Sequence, residues 1–100
     1  MTAAVFNALG DPSRLEMVSR LSRLGPLNTN ALSADLGISR QAAARHLAVL
    51  DASGVVRTLR QGRVALRELD PEVIAGMSVW MSQIAKAWDA HLSNLKSNYE

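Results

Sequence analysis

The sequence predicts a mainly α-helical domain carrying one small β-hairpin, in the order α-α-α-α-β-β-α. Three observations carry that expectation. Glycine and proline cut the chain into helical segments with capping residues at their starts. The stretch LGISRQAAARHLAVLDASG, residues 36–54, joins two of those segments through a turn built on Gly37. Two β-type runs, flanking Gln61-Gly62, follow it directly. A helix-turn-helix that runs straight into a two-stranded hairpin is a winged helix-turn-helix.

Each element has its own reason. Thr2 to Leu9 is alanine-rich, with Val5, Phe6 and Leu9 on one side, and Gly10 ends it. Asp11-Pro12 restarts a helix: the carboxylate caps free N–H groups, and proline at the first position has no N–H to lose. Leu15, Val18, Leu21 and Leu24 supply its apolar stripe, and Gly25-Pro26 stops it. Leu27 reads as a short extended residue. Asn28 or Thr29 caps the next helix, with Ala31, Leu32 and Leu36 inward, and Gly37 closes it in the left-handed conformation. Ser39 caps a helix to about Ala52, ended by Gly54. Val55–Leu59 and Val64–Leu69 form the hairpin, with its tight turn at Gln61-Gly62. Asp70-Pro71 repeats the cap-plus-proline start, and a long helix follows to about residue 97, roughly 40 Å at 1.5 Å per residue. The expected organisation is a single domain over 1–100: helix-turn-helix about 29–53, wing about 55–69, C-terminal dimerisation helix about 71–97.

Composition narrows the function. The chain has 100 residues, is 48% hydrophobic and contains no cysteine. Disulfides, zinc–thiolate sites and thiol redox sensing are therefore excluded. The N-terminal stretch lacks the basic region of a signal peptide. The longest uncharged helical run, residues 73–85, is too short and too polar to span a bilayer. The expectation is a soluble cytoplasmic protein with no membrane partner.

The net charge of +2 is unevenly spread. Residues 39–67 carry six arginines against Asp51 alone, a net of +5, whereas residues 1–38 balance and residues 68–100 are net −3. Arginine's planar fork suits phosphate and guanine, to which it donates two parallel hydrogen bonds. In the helix after Ser39, Ala43, Leu47 and Leu50 share one face, flanked by His46. Arg40, Gln41, Ala44, Arg45 and Ala48 fall opposite. Small residues there let the backbone approach a duplex, and the long polar ones reach base edges or phosphates. In the hairpin, Arg60 and Arg63 flank the turn while Arg57 and Arg67 lie further down. A wing of this kind tracks the backbone or enters the minor groove, where a narrow groove attracts arginine. The expected DNA-binding set is Ser39, Arg40, Gln41, Ala44, Arg45, Arg57, Arg60 and Arg63.

The ends suggest a second copy of the chain as partner. Val73, Ile74, Met77, Trp80, Met81, Ile84, Trp88, Leu92 and Leu95 recur at alternating three- and four-residue steps along nearly the whole last helix. Burying one such side chain is worth about 1.5–3 kcal/mol, so a self-complementary helix pair with twofold symmetry is favoured. The expected dimer interface is Val5, Phe6, Leu9, Met77, Trp80, Met81, Ile84, Trp88, Leu92 and Leu95.

These segments resemble the ArsR/SmtB-type winged-helix transcriptional repressors over nearly the whole chain. FNALGDPSRLEMV is similar to that family's opening stretch. LSADLGISRQAAARHLAVLDASGVV is similar to its helix-turn-helix, and RQGRVALRELDP to its wing and the start of the last helix. The C-terminal AWDAHLSNLKSNY resembles a cysteine-free subgroup without the metal-sensing motifs. The resemblance implies a homodimeric repressor on a pseudo-palindromic operator, and in many members an inducer, which this sequence does not identify. Two departures concern affinity: Ala44 stands where the family often has serine, and Ala48 where it often has lysine. Asp89 and His91 form an Asp-x-His pair with no third ligand near by, and zinc needs three or four. No metal and no cofactor are expected, and His46 reads as packed beside Leu47 and Leu50.

An enzyme is not expected, since the sequence has no nucleophile beside a base, no glycine-rich phosphate loop and no paired carboxylates on one face. The main expectation is a homodimeric, sequence-specific DNA-binding regulator, a repressor, that reads the major groove with helix 39–52 and touches flanking backbone with the wing. The alternative is a winged-helix protein–protein interaction module. Charge segregated to the helix and hairpin argues against it.

Overall fold

A computed structural model of the chain describes residues 3–99. The elements run α1 (Ala3–Leu9), α2 (Pro12–Leu24), α3 (Thr29–Ser33), α4 (Arg40–Ser53), β1 (Val56–Gln61), β2 (Val64–Leu69) and α5 (Pro71–Tyr99). This is the mainly helical, winged helix-turn-helix order expected. Thr2, the expected start of α1, lies outside the described residues.

The expected caps are in place. Asp11 accepts the Arg14 N–H (3.0 Å), Asn28 that of Ala31 (2.9 Å) and Ser39 that of Ala42 (3.0 Å), each occupying a donor that its helix leaves free. Asp70 Oδ1 accepts the N–H of Glu72 at 2.9 Å, which starts α5. Gly54 closes α4 at φ 85°, a left-handed position that side chains other than glycine's adopt only under strain.

Four details depart from the expectations. On α2, Met17 and Leu21 are buried, while Leu15 and Leu24 are 52% and 66% exposed. Val18 and Leu21 of the expected stripe do pack in the core, but Met17 takes the place beside them that Leu15 and Leu24 leave. On α3, Leu32 is buried and Leu36 packs at the core's edge, but Ala31 is exposed. The helix also ends at Ser33, before Gly37. Asp35 already takes a positive φ of 60°, so the turn to α4 occupies residues 34–39. Arg20 stabilises this early end by donating to the carbonyls of Ala31, Leu32 and Ala34. In the hairpin, Gln61 pairs with Val64, so the two-residue turn is Gly62-Arg63. Gly62 takes a positive φ of 62°, which glycine adopts freely at a tight hairpin turn.

The core gathers Val5 and Ala8 of α1, Met17 and Leu21 of α2, Leu32 of α3, Ala43, Leu47 and Leu50 of α4, and Val55 and Val56 at the entry to β1. No polar side chain is buried with them among the described residues. Leu27 bridges to Arg67 through two backbone hydrogen bonds of 3.0 and 2.8 Å, which pins β2 to the segment before α3.

α5 behaves differently from the rest. Val73, Ile74 and Met77 pack on the core, and Trp80 meets Phe6 with ring centroids 5.0 Å apart. Every residue from Trp80 to Lys96 is exposed. The molecule is 64 Å long but only 27 and 22 Å across, because this helix projects past the domain. It does not fold back.

Candidate nucleic-acid interface

α4 presents two chemically distinct sides. Ala43, Leu47 and Leu50 face the core. Gln41, Ala44, Arg45 and Ala48, spaced 0, 3, 4 and 7, are all exposed, as one helical face requires. Ser39 and Arg40 stand exposed at the N-terminal end, where the helix dipole favours an anion. α4 leads into β1 through Gly54 and the buried Val55, so the exposed face of α4 and the wing belong to one packed unit.

Pairing divides the arginines of the basic block. Among the described residues, no carboxylate lies within ion-pair distance of Arg40, Arg45, Arg60 or Arg63. All four are exposed, two on α4, one on β1 near its end and one in the turn itself. Arg57 and Arg67 are engaged. Arg57 Nε donates to Glu68 Oε1 at 2.9 Å across the strand pair, and this bond holds the guanidinium proton more firmly than usual. Arg67 donates to Asp51 Oδ2 (3.2 Å) at the end of α4 and to Thr29 Oγ1 (3.3 Å) at the start of α3.

The expected DNA-binding set therefore separates. Ser39, Arg40, Gln41, Ala44, Arg45, Arg60 and Arg63 lie exposed on the helix and the wing tip. Arg57 stands apart. Its charge is answered by its cross-strand partner, and it lines a cleft of about 420 Å³ at the base of the wing with Leu21, Pro26, Leu69 and Ile74.

The expected interface set also needs a correction. Val5 is 4% exposed, inside the core of its own chain, and has no surface left for a partner. Phe6, Leu9 and Met77 are half-buried. Trp80, Met81, Ile84, Trp88, Leu92 and Leu95 are open.

One cluster has no counterpart in the sequence reading. Arg14, on α2, donates from Nε to Ala8 O (2.6 Å), from Nη2 to Asn7 O (3.3 Å) and from Nη1 to His46 Nδ1 (3.0 Å). His46 thus touches a cation 32 residues away, a separation that no local spacing rule detects. Asp11 completes the group, with Oδ2 3.7 Å from His46 Nδ1. Its carboxyl sits below the usual carboxylate range, chiefly because it accepts the Arg14 backbone N–H. Among the described residues, no three His, Asp or Glu side chains are placed to hold a metal ion. No described helix is long and apolar enough to cross a membrane.

Comparison with known proteins bears on this site. A helix-turn-helix domain family matches residues 9–58. The arsenical resistance operon repressor of Escherichia coli (strain K12) is 35% identical over 85 residues, which cover 84% of this chain and 69% of that protein. An HTH-type transcriptional regulator of Mycobacterium tuberculosis, Rv2034, is 32% identical over 88 residues, covering 88% and 78%. Among solved structures, an ArsR-like transcriptional regulator from Rhodococcus sp. RHA1 superposes with a TM-score of 0.81 at 32% identity, over 98% of this chain and 92% of that one.

Proposed function

The chain belongs to the ArsR-type helix-turn-helix transcriptional regulators, DNA-binding proteins rather than enzymes, and from that premise we propose that it is a homodimeric repressor of a pseudo-palindromic operator. Each protomer lays α4 in a major groove, with Gln41 and Arg45 toward base edges and Ser39 and Arg40 toward phosphate. Ala44 and Ala48 let the helix backbone approach. Arg60 and Arg63 at the wing tip meet the flanking backbone or the minor groove. Half-sites lie about one helical turn apart or somewhat more. The bound dimer excludes the transcription machinery, in the cytoplasm where that DNA is found.

The observation that carries this reading is the distribution of unanswered charge. The four arginines without a carboxylate partner are those on the recognition helix and the wing tip, while the two nearer the body of the domain are neutralised. The dimer rests on α5, whose large side chains from Trp80 to Leu95 are open and share one side of the helix. Phe6, packed on Trp80, extends the same surface.

Fluorescence anisotropy of the protein on a labelled fragment of the DNA upstream of its own coding sequence, against a shuffled fragment, tests the reading. The expected result is preference for the native fragment and a steep fall in affinity with salt. If all eight free arginines of a dimer met phosphate, the log–log slope would reach about −7. Equal, weak and salt-insensitive binding to both fragments would favour a protein partner for the basic face. Sedimentation tests the assembly: the chain is expected to run as a dimer and Ile84→Glu as a monomer that still melts cooperatively.

A further inference from the structure

Hydrophobic contact alone leaves α4 poorly fixed in rotation. Its core face consists of Ala43, Leu47 and Leu50, and burial of such side chains is non-directional. A small roll of the helix about its axis keeps them buried yet redirects Gln41 and Arg45. Directional contacts resist such a roll: Arg67 holds Asp51 at the C-terminal end of α4, and Arg14 supplies the contact at the middle of the helix. Its guanidinium grips two carbonyls at the end of α1, those of Asn7 and Ala8, and with its remaining arm reaches the ring of His46, the residue directly after Arg45. A guanidinium only donates, so Nδ1 of His46 accepts and the ring keeps its proton on Nε2.

We propose that Arg14 is a positioning residue for DNA binding, which through His46 locks the rotation of the recognition helix α4 against the end of α1. The inference rests on the reading that the exposed face of α4 meets DNA. It also gives that face a physical link to the rest of the molecule. α1 carries Phe6, packed on Trp80 of α5. A shift of α5 against α1 therefore reaches α4 along Phe6, the last turn of α1, Arg14 and His46. Neither Arg14 nor His46 lies on the exposed face formed by Gln41, Ala44, Arg45 and Ala48; both are half-buried.

The test compares four variants by operator affinity, salt slope and thermal melting. His46→Leu keeps the bulk and removes the acceptor. His46→Asn keeps an acceptor close to the place of Nδ1. Arg14→Lys keeps the charge and loses the fork that reaches both α1 and the ring. The fourth is the double variant Arg14→Lys/His46→Leu. We expect His46→Leu and Arg14→Lys each to weaken specific binding about tenfold with the salt slope and melting temperature of His46→Leu unchanged, His46→Asn to bind like the parent chain, and the double variant to lose no more than about tenfold, since both changes break one link. Parent-like affinity in His46→Leu overturns the proposal. So does equal weakness of His46→Leu and His46→Asn, or an additive double variant. A salt slope reduced by about one unit in His46→Leu overturns it too, because His46 would then be touching phosphate itself. If Arg14→Lys fails to fold, the two His46 variants decide. A parent chain that binds both fragments equally, weakly and without salt dependence counts against the DNA-binding reading instead, a different outcome from any of these.

Discussion

Two groups of arginine share one basic stretch and have opposite fates. Arg40, Arg45, Arg60 and Arg63 stand exposed with no carboxylate within ion-pair distance among the described residues. Arg57 and Arg67 are tied to Glu68 and Asp51. The difference teaches that a net charge summed along a sequence overstates the charge a ligand meets. A guanidinium already hydrogen-bonded to a carboxylate attracts phosphate weakly, while one facing solvent releases counterions when DNA arrives. The same residue type is therefore left open to a ligand in one place and builds the fold in the other.

The largest effect should come from the free group. Arg45→Ala is expected to weaken operator binding by about 1–3 kcal/mol per half-site if it reads a base, with an unchanged urea midpoint because the side chain is exposed. Loss of folding stability in this variant would break the contrast. Arg67→Ala should do the reverse and lower stability by about 1–2 kcal/mol in a urea titration. Two bonds to charged or polar partners would suggest more, but Arg67 Nε is buried with no hydrogen-bond partner among the described residues, and its removal relieves that cost. Arg63→Ala should weaken binding evenly across sequences and reduce the salt slope by about one unit per half-site. Arg57→Ala, measured beside it, should leave the salt slope where it was. If the two variants behave alike, pairing does not decide which arginines face DNA.

The smallest effect is on acid stability. Asp11 has a carboxyl lowered by its cap to Arg14 N, so the folded form holds its proton less tightly than the unfolded chain does. Its stabilisation is present above the ordinary carboxylate value and is lost as pH falls through the lowered one. Asp11→Asn still caps the helix and is expected to flatten the acid limb of the stability curve while leaving neutral stability close to the parent's.

The elements themselves were legible. Asp11-Pro12, Asn28, Ser39 and Asp70-Pro71 mark helix starts because their chemistry acts within three residues, and the structure uses all four. Gly54 ends α4 as expected. The hairpin was visible, but its turn slipped by one residue to Gly62-Arg63, since strand pairing and not the dipeptide alone sets register. On α2, the spacing pointed to Leu15, and the structure buries Met17 instead. Which one is buried depends on what packs opposite, and that is not a local property.

For the candidate site the division falls in the same place. The exposed face of α4 followed from helical periodicity, which fixes direction within one element. Pairing did not follow, because Arg67 reaches Asp51 and Thr29, and Arg14 reaches His46, only after distant elements meet. Val5, one apolar residue among several near the N-terminus, gave no sign that it would be sealed in its own core while Phe6 stayed half-open.

By itself, then, the sequence determined the kind and order of the elements, the basic stretch and the long apolar stripe of the last helix, since each depends on spacing within a few turns of chain. Only the tertiary structure decided which arginines remain free, which apolar residues stay exposed on α5, and which distant side chains α4 meets. Those outcomes depend on contacts between residues far apart in the chain, and such contacts exist only once the core has closed.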